Sequence, residues 1–227
     1  MFVKICANTN LADALLSVEA GEDAVGFVFA KSSRQVTAAQ VAGITRALPA
    51  TIKKIGVFHA RTAEEIIHDV HLAGLNGVQL HFAFDPSVIA KLRAEFGPDF
   101  FIVQTLHWVV YGHVERAEKW FRESLQVVMQ NSRQPGGVDA LLVDARTEAA
   151  SGGTGESFDW ARARAVLDED AAGLKIIVAG GLTPENVGEA IAALAPWGVD
   201  VASGAEFMPG MKDAKKIRAF VAAARSL

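Results

Sequence analysis

Along the 227-residue chain, short runs of consecutive apolar residues alternate with longer stretches whose apolar positions recur every three or four residues. The short runs read as strands covered on both faces, the longer stretches as amphipathic helices. Strands are predicted at Phe2–Cys6, Ala24–Phe29, Ile55–Phe58, Gly77–His81, Phe100–Thr105, Ala140–Val143 and Lys175–Ala179, and in the run from Val199 that ends in Ser203-Gly204. Between them lie helix signals. Asn8-Thr-Asn10 supplies cap candidates ahead of Leu11, Leu15 and Val18, and Gly21 stops that helix. Thr37-Ala-Ala-Gln40 and Thr62-Ala-Glu-Glu65 are capping boxes, and Asp85-Pro86 is a cap followed by a first helical residue. From 106 to 138 the pattern loosens, but Val114, Ala117, Phe121, Leu125 and Val128 keep the spacing of one long helix. A helix is predicted around 159–168, another opening at Thr183-Pro184, and the last between Lys212 and Arg225, with Ile217, Phe220, Val221 and Ala224 on one face.

Eight strand–helix units follow one another with no linker between them. Alternating units imply a parallel sheet, and right-handed crossovers repeated eight times close it on itself. An open doubly wound sheet is the alternative, but about 25–30 residues per unit is barrel spacing. The expected fold is α/β, a single (β/α)8 TIM barrel occupying residues 1–227 as one domain.

Composition narrows the class further. With 51% apolar residues the chain can bury a large core. A formal net charge of −4 argues against a nucleic-acid or anionic-membrane partner. No apolar run reaches the length of a membrane span, and the N-terminus lacks the layout of a signal peptide. Cys6 is the sole cysteine, so neither an intramolecular disulfide nor a thiolate zinc site is available. A cytoplasmic location is expected.

In such a barrel the chemistry sits at the C-terminal ends of the strands, and the loops after strands seven and eight often hold phosphate. Gly180-Gly181 and Ser203-Gly204 fall at those two places, where exposed backbone N–H groups beside a helix start suit an anion. The polar strand-end residues form a short list: Cys6, Arg34, His81, Asp144, Gly153 within the Gly152-Gly-Thr-Gly155 loop, Asp200 and Ser203. Each has a purely structural alternative. Cys6 can be a small buried hydrophobe, Arg34 a solvated charge, His81 a core histidine, and Asp144 and Asp200 backbone-orienting groups. No His/Asp/Glu cluster has metal-ligand spacing, and there is no dinucleotide fingerprint.

Several blocks then occur in a recognisable order: Val3-Lys-Ile-Cys6, Gly26-Phe-Val-Phe29 with Ser33-Arg34, Lys54-Ile-Gly-Val-Phe58, Val78-Gln-Leu-His81 and Leu142-Val-Asp144. Gly152-Gly-Thr-Gly155 with Phe158-Asp-Trp160, Ala179-Gly-Gly-Leu-Thr-Pro-Glu-Asn-Val187, and Asp200-Val-Ala-Ser-Gly204 with Pro209-Gly-Met-Lys-Asp213 complete the series. Together they closely resemble the phosphoribosylanthranilate isomerases of tryptophan biosynthesis, over nearly the whole chain and least between about 106 and 138. The resemblance implies an Amadori rearrangement of N-(5-phosphoribosyl)anthranilate without metal or cofactor. It implies Asp144 as general acid on the ribose ring oxygen and Cys6 as general base at C2′. It further implies Arg34 at the anthranilate carboxylate and the glycine turns at the phosphate. Gly153, His81, Asp200, Ser203, Gly204, Gly180 and Gly181 complete the expected substrate-binding set. The partner is a small phosphorylated molecule; a monomer is expected, with a homodimer as the alternative.

Three positions depart from the family pattern: Ala7 for a usual Gly, Phe82-Ala83 for Gly and an acidic residue, and Ala202 for a Ser. None is the acid, the base or the arginine. The rival readings are another phosphate-binding barrel, such as the sister isomerase of histidine biosynthesis or the tryptophan synthase α subunit, and a catalytically idle sugar-phosphate binder. The sister isomerase uses paired aspartates on strands one and five, whereas strand one here ends in Cys6.

Overall fold

The computed structural model describes residues 1–110, 114–132, 136–147, 160–171 and 173–226. Eight parallel strands close a barrel in chain order. They are β1 (Phe2–Ile5), β2 (Ala24–Val28), β3 (Lys53–Phe58), β4 (Gly77–Leu80), β5 (Phe101–Val110), β6 (Ala140–Thr147), β7 (Lys175–Ala179) and β8 (Gly198–Val201). The seam between first and last strand is fully registered, with Phe2 to Ile5 opposite Gly198 to Val201. The outer helices are α1 (Leu11–Ala20), α2 (Ala38–Thr45), α3 (Ala63–Ala73), α4 (Pro86–Phe96), α5 (Val114–Ser132), α6 (Trp160–Asp170), α7 (Val187–Leu194) and α8 (Ala214–Arg225). After β8 the chain makes a 3-10 turn at Ser203–Ala205, then a small antiparallel hairpin, β9 (Glu206–Met208) and β10 (Met211–Lys212), which the sequence pattern does not announce. No helix among the described residues is long and apolar enough to cross a membrane.

The strands are apolar on both faces because each separates two cores. Val3, Ile5, Val78, Leu80, Leu141, Val143, Val199 and Val201 pack outward with the helices. Inside the barrel, Ala24, Ile55, Phe101, Val103, Ala140, Leu142 and Ile177 fill the lower layers, closed at the base by Phe2 stacked on Trp197 at 4.5 Å. Strand periodicity then sends Lys4, Cys6, Gln79, His81, Thr105, His107, Asp144 and Asp200 into the upper interior.

The helix starts follow local chemistry. Both capping boxes form, and the side chain of Asn10 accepts the Asp13 N–H at 2.9 Å. The expected start at Thr183-Pro184 is corrected: α7 begins one turn later, at Val187. Asn186 captures the local donors first, its Oδ1 accepting the Thr183 N–H at 2.7 Å and its Nδ2 donating to the Gly181 carbonyl at 3.0 Å. This side-chain competition holds 183–186 as a separate turn. The other differences are β5 and β6, which run past their expected ends at Thr105 and Val143 and pair with each other as far as Val110 opposite Thr147.

Candidate active site

Among those described, every expected strand-end residue lies at the same mouth except Asp200, which lies just below it, buried against Lys4. Cys6 follows β1, Arg34 lies in the loop after β2, His81 follows β4, Asp144 lies on β6, and the two glycine turns follow β7 and β8. Gly153 lies outside the described residues. Around the closed barrel, the short path from β1 to β6 crosses β8 and β7, so the two glycine turns stand between Cys6 and Asp144.

Below the mouth lies a polar layer of which sequence reading picks out only Asp200. Lys4 Nζ, buried inside β1, donates to Asp200 Oδ1 and to Gln79 Oε1, each at 2.9 Å. Gln79 Nε2 passes the chain to Thr105 Oγ1 at 3.1 Å. Burial works against the Lys4 ammonium, but Asp200 and Cys6 outweigh it and hold its pKa above the ordinary value. Burial likewise pushes the Asp200 carboxyl up, against the pull of Lys4. The available signal was weak: polar residues at alternate positions of otherwise apolar strands.

Cys6 rests directly on this layer. Burial raises its thiol pKa, while Lys4 and, more weakly, Lys212 act to lower it. The thiol fits because Gly26 of the neighbouring strand has no side chain: a Cβ there would lie 2.7 Å from Cys6 Sγ and 3.1 Å from Lys4 Cε. Beyond Cys6, Ala7 occupies the left-handed region at φ 63°. That conformation costs a β-carbon about 1–2 kcal/mol, which explains why Gly suits this position.

Arg34 is forked onto Glu206 of the β9 hairpin, through Nε at 2.8 Å and Nη2 at 2.7 Å. The hydrogen bonds Arg34 donates to Glu206 raise the guanidinium pKa further, and although burial acts against the Glu206 carboxylate, Arg34 and Lys212 hold its pKa down. Lys212 Nζ, also buried, donates to the Ala202 carbonyl at 3.1 Å and to Glu206 Oε1 at 3.4 Å. Glu206 and Lys212 come from the loop beyond the last strand, so only the closed fold brings them to Arg34.

The two glycine turns touch through their backbones. Gly180 and Gly181 both take positive φ, 90° and 65°. A Cβ on Gly204 would sit 1.9 Å from the Leu182 carbonyl oxygen, an approach only glycine permits. Among the described residues, the Gly181 and Ser203 N–H groups donate no hydrogen bond. Unused amides in glycine turns at the end of a barrel offer a candidate anion cradle.

On the other flank, three imidazoles line up across the ends of β3, β4 and β5. The His59 ring lies tilted against His81 at 4.8 Å between centroids, and His81 lies tilted against His107 at 4.6 Å. His107 is in register with Asp144, its Nδ1 3.4 Å from Asp144 Oδ2. These histidines, with Phe82, Ala83, Phe84 and Trp120, line a cavity of about 420 Å³. The Phe82-Ala83 departure thus forms the wall of a pocket next to the acid candidate.

A buried thiol beside two buried lysines, a carboxyl elsewhere on the mouth and two glycine turns between them gather the polar groups where a barrel enzyme of this type keeps its active site. A family model for N-(5′-phosphoribosyl)anthranilate (PRA) isomerase matches residues 3–104 and 111–223. The chain belongs to the N-(5′-phosphoribosyl)anthranilate isomerase family. It is 39% identical to the isomerase of Geobacter sp. (strain M21), covering 99% of this chain and 98% of that one. It is 41% identical to that of Pelobacter propionicus, over 98% and 95% of the two chains. Among solved structures, the isomerase of Thermotoga maritima superposes with a TM-score of 0.81 at 33% identity, covering all of both chains. A phosphoribosyl anthranilate isomerase in complex with reduced 1-(o-carboxyphenylamino)-1-deoxyribulose 5-phosphate gives 0.78 at 32%, again over both full chains.

Proposed function

We propose that the protein isomerises N-(5′-phosphoribosyl)anthranilate to 1-(2-carboxyphenylamino)-1-deoxy-D-ribulose 5-phosphate in tryptophan biosynthesis, with Asp144 as general acid and Cys6 as general base. The observation that carries the assignment is the placement of the anion cradle on the short arc between those two residues. A substrate held by its phosphate there extends its ribose across the mouth with Asp144 on one side and Cys6 on the other.

The chemistry follows from that placement. Asp144 gives a proton to the furanose ring oxygen, the C1′–O bond breaks, and the anthranilate nitrogen lone pair completes a protonated Schiff base. The Cys6 thiolate then takes the C2′ proton, and the electron pair flows into an enolamine that tautomerises to the ketone. Burial and the Asp200 charge hold the Cys6 thiol above its ordinary pKa, and Lys4 and Lys212 offset this only in part, so the basic form gains population as pH rises. Arg34, held by Glu206 through Nε and Nη2, presents its remaining edge to the anthranilate carboxylate. All of these groups come from one chain, which supports a monomer as the working unit, although a dimeric relative is known from Thermotoga maritima.

The test is steady-state kinetics of Cys6→Ser and Asp144→Asn, with folding checked by circular dichroism. Each replacement is nearly isosteric. A general acid or base supplies about 10²–10⁴-fold, so each variant should lose at least that in kcat with a smaller change in KM. A folded Cys6→Ser enzyme turning over at the parent rate would return Cys6 to a structural thiol.

A further inference from the structure

We propose that His81, His107 and Asp144 form a binding site for a divalent transition-metal ion of the zinc, nickel or cobalt(II) kind, and that its occupation blocks the enzyme by taking the acid. The second half of this statement rests on the role assigned to Asp144; the first half rests on geometry alone.

The three residues come from consecutive strand ends, β4, β5 and β6, and all point into the mouth. One donor atom from each lies within 4.8 Å of the others. The His107 Nδ1 to Asp144 Oδ2 separation, 3.4 Å, already matches the edge of a tetrahedron with metal bonds of about 2.0–2.1 Å, which is roughly 3.3 Å. The third donor, on the half-buried His81, lies within 4.8 Å of the other two, a span that side-chain rotation can close. Two imidazoles with one carboxylate form a mixed N,N,O set, which suits zinc, nickel or cobalt and not the all-oxygen shells of magnesium and calcium. The adjoining cavity of about 420 Å³ leaves room for water to complete the coordination.

A carboxylate bound to a metal ion carries no proton and has a lone pair engaged. It cannot deliver a proton to a ribose ring oxygen. Metal occupation and the first chemical step are therefore mutually exclusive at Asp144. This makes the ion an inhibitor and not a cofactor, in keeping with chemistry that needs no metal.

The experiment uses the full chain, stripped with EDTA and desalted, titrated with CoCl₂ while visible absorption is recorded. One Co²⁺ per chain should bind, with the d–d bands of a low-coordinate nitrogen–oxygen site. His107→Phe should weaken binding at least ~10-fold, and His107→Gln serves if the first variant does not fold. In the unaltered protein, Zn²⁺ should shift the imidazole proton resonances of two of the six histidines. Turnover should fall with the same midpoint as Co²⁺ binding and return on adding EDTA. The site is overturned if no stoichiometric ion binds at about 1 mM, or if binding is untouched by both His107 variants. Binding that requires His107 without any loss of turnover would uphold the site and overturn the assignment of Asp144 as acid.

Discussion

Gly204→Ala tests whether the contact between the two glycine turns builds the phosphate site. The added methyl would start 1.9 Å from the Leu182 carbonyl oxygen, 2.9 Å from its carbon and 3.1 Å from Thr183 Cα. All three obstacles are backbone, so no side chain can swing aside. Relieving the clash requires the turns to part by about 1 Å, and overpacking of this kind costs about 1–3 kcal/mol of stability. The functional cost should be of similar size, about 2.7 kcal/mol, because a 1 Å misplacement of a positioning group can cost about 10²-fold. The expected outcome is a folded enzyme whose kcat/KM falls by about 10²-fold, mostly through KM, with weakened inhibition by inorganic phosphate. Gly43→Ala is the control. It lies within α2 with nothing within 4 Å of its added methyl, and should stabilise by about 0.5–1 kcal/mol while leaving KM alone. A folded Gly204→Ala enzyme with parental KM and unchanged phosphate inhibition would refute the reasoning.

Two further outcomes follow from buried charges. Lys4→Met should destabilise the barrel by about 3–5 kcal/mol in urea denaturation, since it strands Asp200 without its counter-charge, and Lys4→Met with Asp200→Leu should recover much of that loss. Equal losses in the single and double variants would mean that the pair is not the cause. Glu22, with neither carboxylate oxygen hydrogen-bonded among the described residues, has its pKa pushed by burial from 4.5 up to about 8. The folded state therefore holds that proton after the unfolded state has released it. Stability from this residue should be greatest below pH ~4.5 and should fall, by up to about 5 kcal/mol, as pH climbs to ~8. Glu22→Gln should flatten that slope in a series of urea midpoints, and an unchanged slope would show that another group is responsible.

Much of the fold was legible because strands buried on both faces leave unbroken apolar runs, and the capping residues that open α2, α3 and α4 act within four positions. The end of β5 was hidden because Gln104, Thr105 and His107 break the run, although Leu106 and Trp108 keep the outward alternation. Losing that extension also hid His107, and with it the contact to Asp144. The start of α7 was misplaced because Asn186 and Thr183 are both good local acceptors, and sequence alone does not say which one wins. Cys6, Arg34, His81 and Asp144 could be located from strand ends and resemblance. Their partners could not. Lys4 meets Asp200, and Arg34 meets Glu206, across 196 and 172 positions, contacts that exist only once the barrel is shut.

The Lys4–Asp200 pair also acts as a proofreader of ring closure. It bridges β1 and β8, the first and last strands of the barrel, which must meet to complete the circle. Side chains alternate between the inside and outside of the ring, so a slip of one residue at this seam would turn the ammonium or the carboxylate outward among the aliphatic side chains beneath α1 and α8. Each charge would then stand bare in an oily layer. Apolar residues alone would tolerate such a slip, since Val3, Ile5, Val199 and Val201 are nearly interchangeable in shape. The two charges make the misaligned ring expensive and so leave one way to join the ends of the chain.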